Sequence, residues 1–176
     1  MRNQTFFNLL DGSLHHRSIP EMRNRTWFGY SHGYMMMQDN SSKECFLQSL
    51  DSMEVIPLPR LSINWRRFSC FRLSSAPENT GCVVVLVFLE QIMCHRLHDA
   101  HETKWKTVDV DADGCLFTGG IASLEGGGQS LYVHCHNDVL IAINTSSPDI
   151  EAHRMDVARI DELADTSHYE KTFLEC

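Results

Sequence analysis

The residues most capable of chemistry fall into two short clumps and one turn. Cys94, His95, His98 and His101 lie within "CHRLHDAH", and His134, Cys135 and His136 follow one another directly. Cysteine and histidine are the ligand types zinc prefers, and a structural site takes them as two pairs on separate elements. Neither clump contains a Cys-x-x-Cys knuckle. If each sits on a strand, alternation sends Cys94 and His95 to opposite faces and does the same to His134 and Cys135. The turn is "GYSHGYMMMQD", Gly29 to Asp39, where Ser31 and His32 are adjacent as a nucleophile and base would be. In an extended segment adjacent side chains point apart, so the expectation is that these two do not pair.

Other candidates are weaker. "DVDADG", Asp109 to Gly114, copies the first half of a calcium loop, but Gly120 stands where the bidentate glutamate belongs. "EGGGQS", Glu125 to Ser130, is glycine-rich without the lysine or the following helix of a phosphate loop. No Gly-x-Ser-x-Gly elbow occurs, and no pair of carboxylates stands apart from the rest. The residues therefore predict no catalytic, cofactor-binding or metal-binding set, no cofactor and no enzyme. The alternative left open is a small metal-dependent enzyme, or a zinc-binding protein, using the His/Cys-rich segments.

Strand signals dominate the elements that carry these residues. Val83 to Leu89 is an unbroken β-branched and apolar run, and Leu131–Cys135 and Val139–Ile143 flank the turn residues His136, Asn137 and Asp138. Asp11 and Gly12 mark an earlier hairpin between Phe6–Leu10 and Leu14–Ile19. The best helical stretch, Val157 to Ala164, is modest. Strand openings at Tyr34, Val83 and Tyr132 recur every 49 residues, each followed by two more strand-like segments. These are "KECFLQ" and "MEVIPLP", "IMCHRL" and "ETKWKTV", and "IAINTS" and "EAHRMDV". A strand–turn–strand–turn–strand unit at that period predicts propeller blades. The expectation is an all-β fold, a partial, open β-propeller of about three to three and a half antiparallel blades. It occupies residues 4–157, with residues 158–176 a tail forming a short helix or a degenerate strand.

The chain has 176 residues, which suits one domain, and its formal charge of −8 argues against nucleic-acid partners. The arginines Arg60, Arg66, Arg67 and Arg72 form the one basic stretch, interleaved with Trp65, Phe68 and Phe71. No apolar run approaches the roughly 20 residues of a membrane span, and no signal-peptide profile opens the chain. Seven cysteines, an odd number at irregular spacing, read as reduced thiols of a cytoplasmic or nuclear protein.

From Ser31-His32-Gly33-Tyr34 outward the pattern resembles the KIB-type β-propeller domain. That is a plant domain of unknown function usually found C-terminal to an F-box. The resemblance runs in order through "FFNLLDGSLHHRSIPEM", "YSHGYMMMQD", "CFLQSLDSMEVIPLPRL", "LSSAPENTGCVVVLVFL", "TKWKTVDV" and "LYVHCHNDVLIAIN". It implies a protein-interaction module similar to the substrate-binding propeller of F-box proteins. No F-box precedes the first strand here, so a truncated paralogue is expected. A Skp–cullin ubiquitin-ligase link then requires an F-box supplied elsewhere. Partners are expected to be proteins, with edge-to-edge self-association one way to cover the open edge.

Overall fold

The computed structural model describes residues 4–7, 14–17, 23–62, 67–99, 103–110, 116–123, 130–135, 139–147 and 149–155. The expected tail 158–176 and the helical stretch from Val157 lie outside these residues. The described strands are β1 (Gln4–Phe7), β2 (Leu14–Arg17), β3 (Arg25–Ser31), β4 (Tyr34–Asp39), β5 (Cys45–Ser49), β6 (Val55–Leu58) and β7 (Phe68–Leu73). They continue with β8 (Val83–Phe88), β9 (Gln91–Arg96), β10 (Lys106–Val108), β11 (Phe117–Ser123), β12 (Ser130–Cys135), β13 (Leu140–Asn144) and β14 (Glu151–Met155). Every pairing is antiparallel between consecutive strands. The sheets are β1-β2, then three four-stranded sheets, β3 to β6, β7 to β10 and β11 to β14. No described helix is long and apolar enough to cross a membrane.

These sheets are propeller blades. The first strands touch one another, β3 against β7 and β7 against β11, so they are the inner strands about which the blades turn. The expected all-β, open propeller is what forms, with three complete blades and the hairpin β1-β2. The expected unit of three strands per blade is corrected to four. The openings at Tyr34 and Val83 start the second strands β4 and β8, and Tyr132 lies within the second strand β12. The inner strands β3, β7 and β11 went unread.

Two apolar layers bind the blades. Phe28, Tyr34, Met36, Leu47 and Leu58 of the first blade pack on Phe71, Leu73, Val84, Leu86 and Phe88 of the second. Val83, Val85, Val87, Ile92 and Cys94, on the second blade's opposite face, pack on Leu131, Val133, Cys135, Ile141 and Ile143 of the third. Strand β8 therefore contributes to both layers, and all six of its residues are buried. That explains its continuous apolar run, since a two-sided strand has no solvent face to alternate toward. Each such side chain contributes about 1.5–3 kcal/mol on burial.

Polar ties reinforce the seams. Arg96 Nη2 donates to Ser147 O at 2.7 Å and to Thr145 O at 3.3 Å, linking the second and third blades. Trp105 Nε1 donates to Pro59 O at 2.9 Å, across the first seam. The expected basic stretch is dispersed. Arg60 pairs with Glu44 and Arg67 with Glu90, both on the surface, while Arg72 lies on inner strand β7; Arg66 falls outside the described residues.

Candidate functional site

The end of the blades that carries Ser31 and His32 gathers a connected group of polar side chains. Ser31 closes β3 and Tyr34 opens β4, so His32 and Gly33 form a two-residue hairpin turn. Their φ values of 49° and 81° are both positive, the signature of the turn type that matches strand twist. The neighbouring β5–β6 turn docks on it, with Leu50 N–H donating to Gly33 O at 3.1 Å. Glu78, from the β7–β8 loop, completes the group.

Ser31 Oγ and His32 Nδ1 are 3.0 Å apart. The expectation that these neighbours point apart is therefore corrected. The left-handed backbone at His32 ends the extended stretch and swings the ring back toward the preceding residue. Pairing does not make the serine a nucleophile. Ser31 is 3% exposed, and its oxygen also accepts the Leu73 N–H at 3.1 Å. That bond commits the oxygen to the seam between blades. His32 is exposed as a whole, yet the covered part of its ring is desolvated, and this lowers its pKa below the ordinary histidine value. The Arg72 guanidinium lowers it further, against a raising influence from Glu78.

Tyr34 Oη donates toward Glu54 Oε2 at 3.0 Å and Glu78 Oε1 at 3.2 Å. One hydroxyl proton thus faces two carboxylates, one on its own blade and one on the next. Burial, together with those two acids, pushes its pKa up to about 12. The phenol remains protonated at neutral pH and acts as a clamp, because a general base would need the opposite shift.

The zinc-type clumps separate as alternation requires. Cys94 is buried in the layer between the second and third blades, whereas His95 faces Trp105 at a ring separation of 5.6 Å. His98 Nε2 lies 2.6 Å from Pro77 O, and His101 falls outside the described residues. Cys135 is buried while His134 is exposed, and His136 is again outside. Among the described residues no group of three or more metal-ligating side chains converges. Asp111 to Gly114 and Glu125 to Gln129 also lie outside. Asp109 instead borders an open groove of about 390 Å³ with Glu90, Gln91, Thr107, Val108 and Phe117.

A different kind of site is the free side of the first blade. Trp27 and Tyr30 project from β3 away from the second blade and are 56% and 53% exposed. The Trp27 indole N–H donates to Gly29 O at 2.9 Å, which pins the ring over its own strand. Strand β1 pairs only with β2 among the described strands. Sequence reading anticipated an open edge but missed these aromatics, because β3 itself was not recognised.

Comparison with known proteins gives one match. The model of the KIB1-4 beta-propeller family matches residues 6–175. No curated protein matches the chain, and no solved structure does.

Proposed function

This chain belongs to the KIB1-4 beta-propeller family, and on that premise we propose that it is a non-enzymatic protein-interaction module that binds through its loops and open edge. The observation that carries this reading is the state of Ser31 and His32. The adjacent nucleophile and base of the described residues are both committed to the fold, Ser31 by the Leu73 amide and His32 by the turn. A propeller whose reactive side chains act as clamps supports recognition, with specificity carried by what the blades present at their rims.

The module reading extends to a substrate receptor for ubiquitin ligation only where an F-box is supplied on the same or another polypeptide. A reducing compartment, cytoplasmic or nuclear, suits the buried thiols of Cys45 and Cys82. The test is quantitative capture. The purified chain, immobilised and offered extract from its own cells, should retain a polypeptide saturably and release it to excess soluble chain. Retention of nothing beyond an albumin control, or turnover of an ester or peptide substrate that is lost in Ser31→Ala, would count against the reading.

A further inference from the structure

Corresponding places on the first two blades carry opposite charge. In the first blade Glu44 stands immediately before the third strand β5, and Arg60 comes two residues after the fourth strand β6. Arg60 Nη2 lies 3.4 Å from Glu44 Oε1, so the chain supplies its own cation there. In the second blade Glu90 stands immediately before β9, as Glu44 does before β5. The exit of β10 then brings Asp109 and Val110, and no cation. The following residues 111–115 do not make up the difference in composition, since they add two more acids, Asp111 and Asp113, and no base.

Glu90 and Asp109 line the open groove of about 390 Å³ to which the second and third blades both contribute. Its apolar lining is Val108 and Phe117, both buried in the layer that joins these blades, with Val110 packed against the same layer. Gln91 and Thr107 add neutral oxygen acceptors. No lining residue is cationic, so nothing inside the groove offsets its two carboxylates. Arg67 Nη1 holds one Glu90 oxygen, Oε2, at 2.6 Å, and among the described residues Asp109 has no ion pair. Leu89 and Leu116, each more than a third exposed, are the chain neighbours of Glu90 and Phe117. The Phe117 N–H donates to Leu89 O at 2.9 Å, which sets these apolar shoulders beside the groove.

We propose that this groove takes an arginine side chain of a partner protein, its guanidinium against Glu90 and Asp109 and its stem over Val108 and Phe117. Arginine is the side chain that the first blade itself uses beside Glu44. Its planar fork of donors can serve two carboxylates at once, and its methylene stem covers apolar surface. Apolar residues flanking the arginine would rest on Leu89 and Leu116. The formal charge of −8 draws a basic segment toward the chain and opposes a second copy of it. This names the partner chemistry of the interaction-module reading and rests on it.

The experiment titrates the full chain with the capped peptide Ala-Leu-Arg-Leu-Ala and follows amide chemical shifts. Those of Gln91, Thr107, Val110 and Phe117 should move and saturate. The same peptide with citrulline, which keeps the shape of the side chain and removes its charge, should bind at least about tenfold more weakly. Raising the salt tenfold should weaken the arginine peptide at least about threefold, since the carboxylates are exposed. A Glu90→Gln/Asp109→Asn protein, altered only at exposed positions, should keep its circular dichroism and lose the response. No shifts, equal binding of the citrulline peptide, or undiminished binding by the double variant overturns the inference. Shifts at these amides that grow with protein concentration alone assign the groove to a second copy and overturn it equally. If the double variant still retains the partner captured by the wild type, the module reading stands and the groove inference falls. If no partner is captured while the peptide response holds, only the module reading fails.

Discussion

Ser31 on the inner strand of the first blade accepts the backbone N–H of Leu73 on the inner strand of the second, at 3.1 Å. The bond is buried and crosses the seam, so it couples the two blades where no sheet ladder does. Ser31→Ala removes the acceptor and leaves a buried amide unsatisfied, which costs about 1–3 kcal/mol. Chemical denaturation should show a lower midpoint with an unchanged slope. Ser31→Thr keeps the oxygen and should recover part of the loss.

His32 separates backbone from side-chain effects. Its φ of 49° lies where a residue with a Cβ is strained, by about 1–2 kcal/mol. His32→Ala keeps that strain and discards the bond to Ser31, so it should destabilise. His32→Gly discards the same bond but relieves the strain, and its stability should lie above that of the alanine variant. The acid side follows from the lowered pKa. The unfolded chain binds the proton more readily, so this contribution is complete above the ordinary histidine value and declines as pH falls through it. Stability of the wild type should drop more steeply below about pH 6.5 than that of His32→Gly, measured as melting temperature against pH.

Tyr34 gives the opposite limb. With its pKa pushed up to about 12, the folded chain holds a phenolic proton that the unfolded chain gives up near pH 10. Its stabilisation is full below about pH 10 and is lost as pH rises toward 12. Ultraviolet titration should show one tyrosine ionising late, together with unfolding, and Tyr34→Phe should remove that late component. Glu78→Gln takes one acid away from the hydroxyl and should bring the ionisation to lower pH.

How much of this was legible in the sequence depended on which strand of a blade was read. The second and third strands appeared as runs such as "VVVLVF", because buried strands advertise themselves through composition, while the mostly exposed fourth strands were placed by the 49-residue period. The inner strands did not, and the reason is physical. Each breaks register against its neighbour, between Trp27 and Gly29, between Phe68 and Cys70, and between Phe117 and Ile121. A bulge shifts the side-chain alternation part-way along a strand, so no period-two pattern survives. Gly119-Gly120 add residues that score against a strand. The Ser31–His32 contact was misjudged for a related reason. Alternation was applied across a residue whose backbone is left-handed, and that conformation is fixed by the turn, which pair patterns do not report.

Thiol reactivity offers a check on the layers. Burial pushes the thiols of Cys45 and Cys82 up, and Cys82 Sγ additionally donates to Ser75 O at 3.2 Å. Both should alkylate at least about a hundredfold more slowly in the native chain than in urea, at a rate that follows opening of the first seam. Fast labelling of either under native conditions would show that this seam is not closed in solution.

Gly29 is a position where the fold leaves little freedom. It sits at the bulge of β3 with φ of 153°, and a Cβ placed there meets Phe71 Cδ1 at 3.3 Å and Phe71 Cβ at 3.4 Å. Backbone and packing therefore act together: the conformation favours glycine, and the second blade's inner strand closes over the bare Cα. Gly29→Ala should cost about 1–3 kcal/mol, as overpacking of a tight seam does. The two causes are separable. Phe71→Leu gives the added methyl room at the ring, so the double variant should be more stable than the two single losses predict, by a coupling of about 0.5–3 kcal/mol. Strict additivity would assign the whole penalty to the backbone at the bulge. Full recovery would assign it to the contact between blades, and would make that contact the reason glycine stands in the middle of an inner strand.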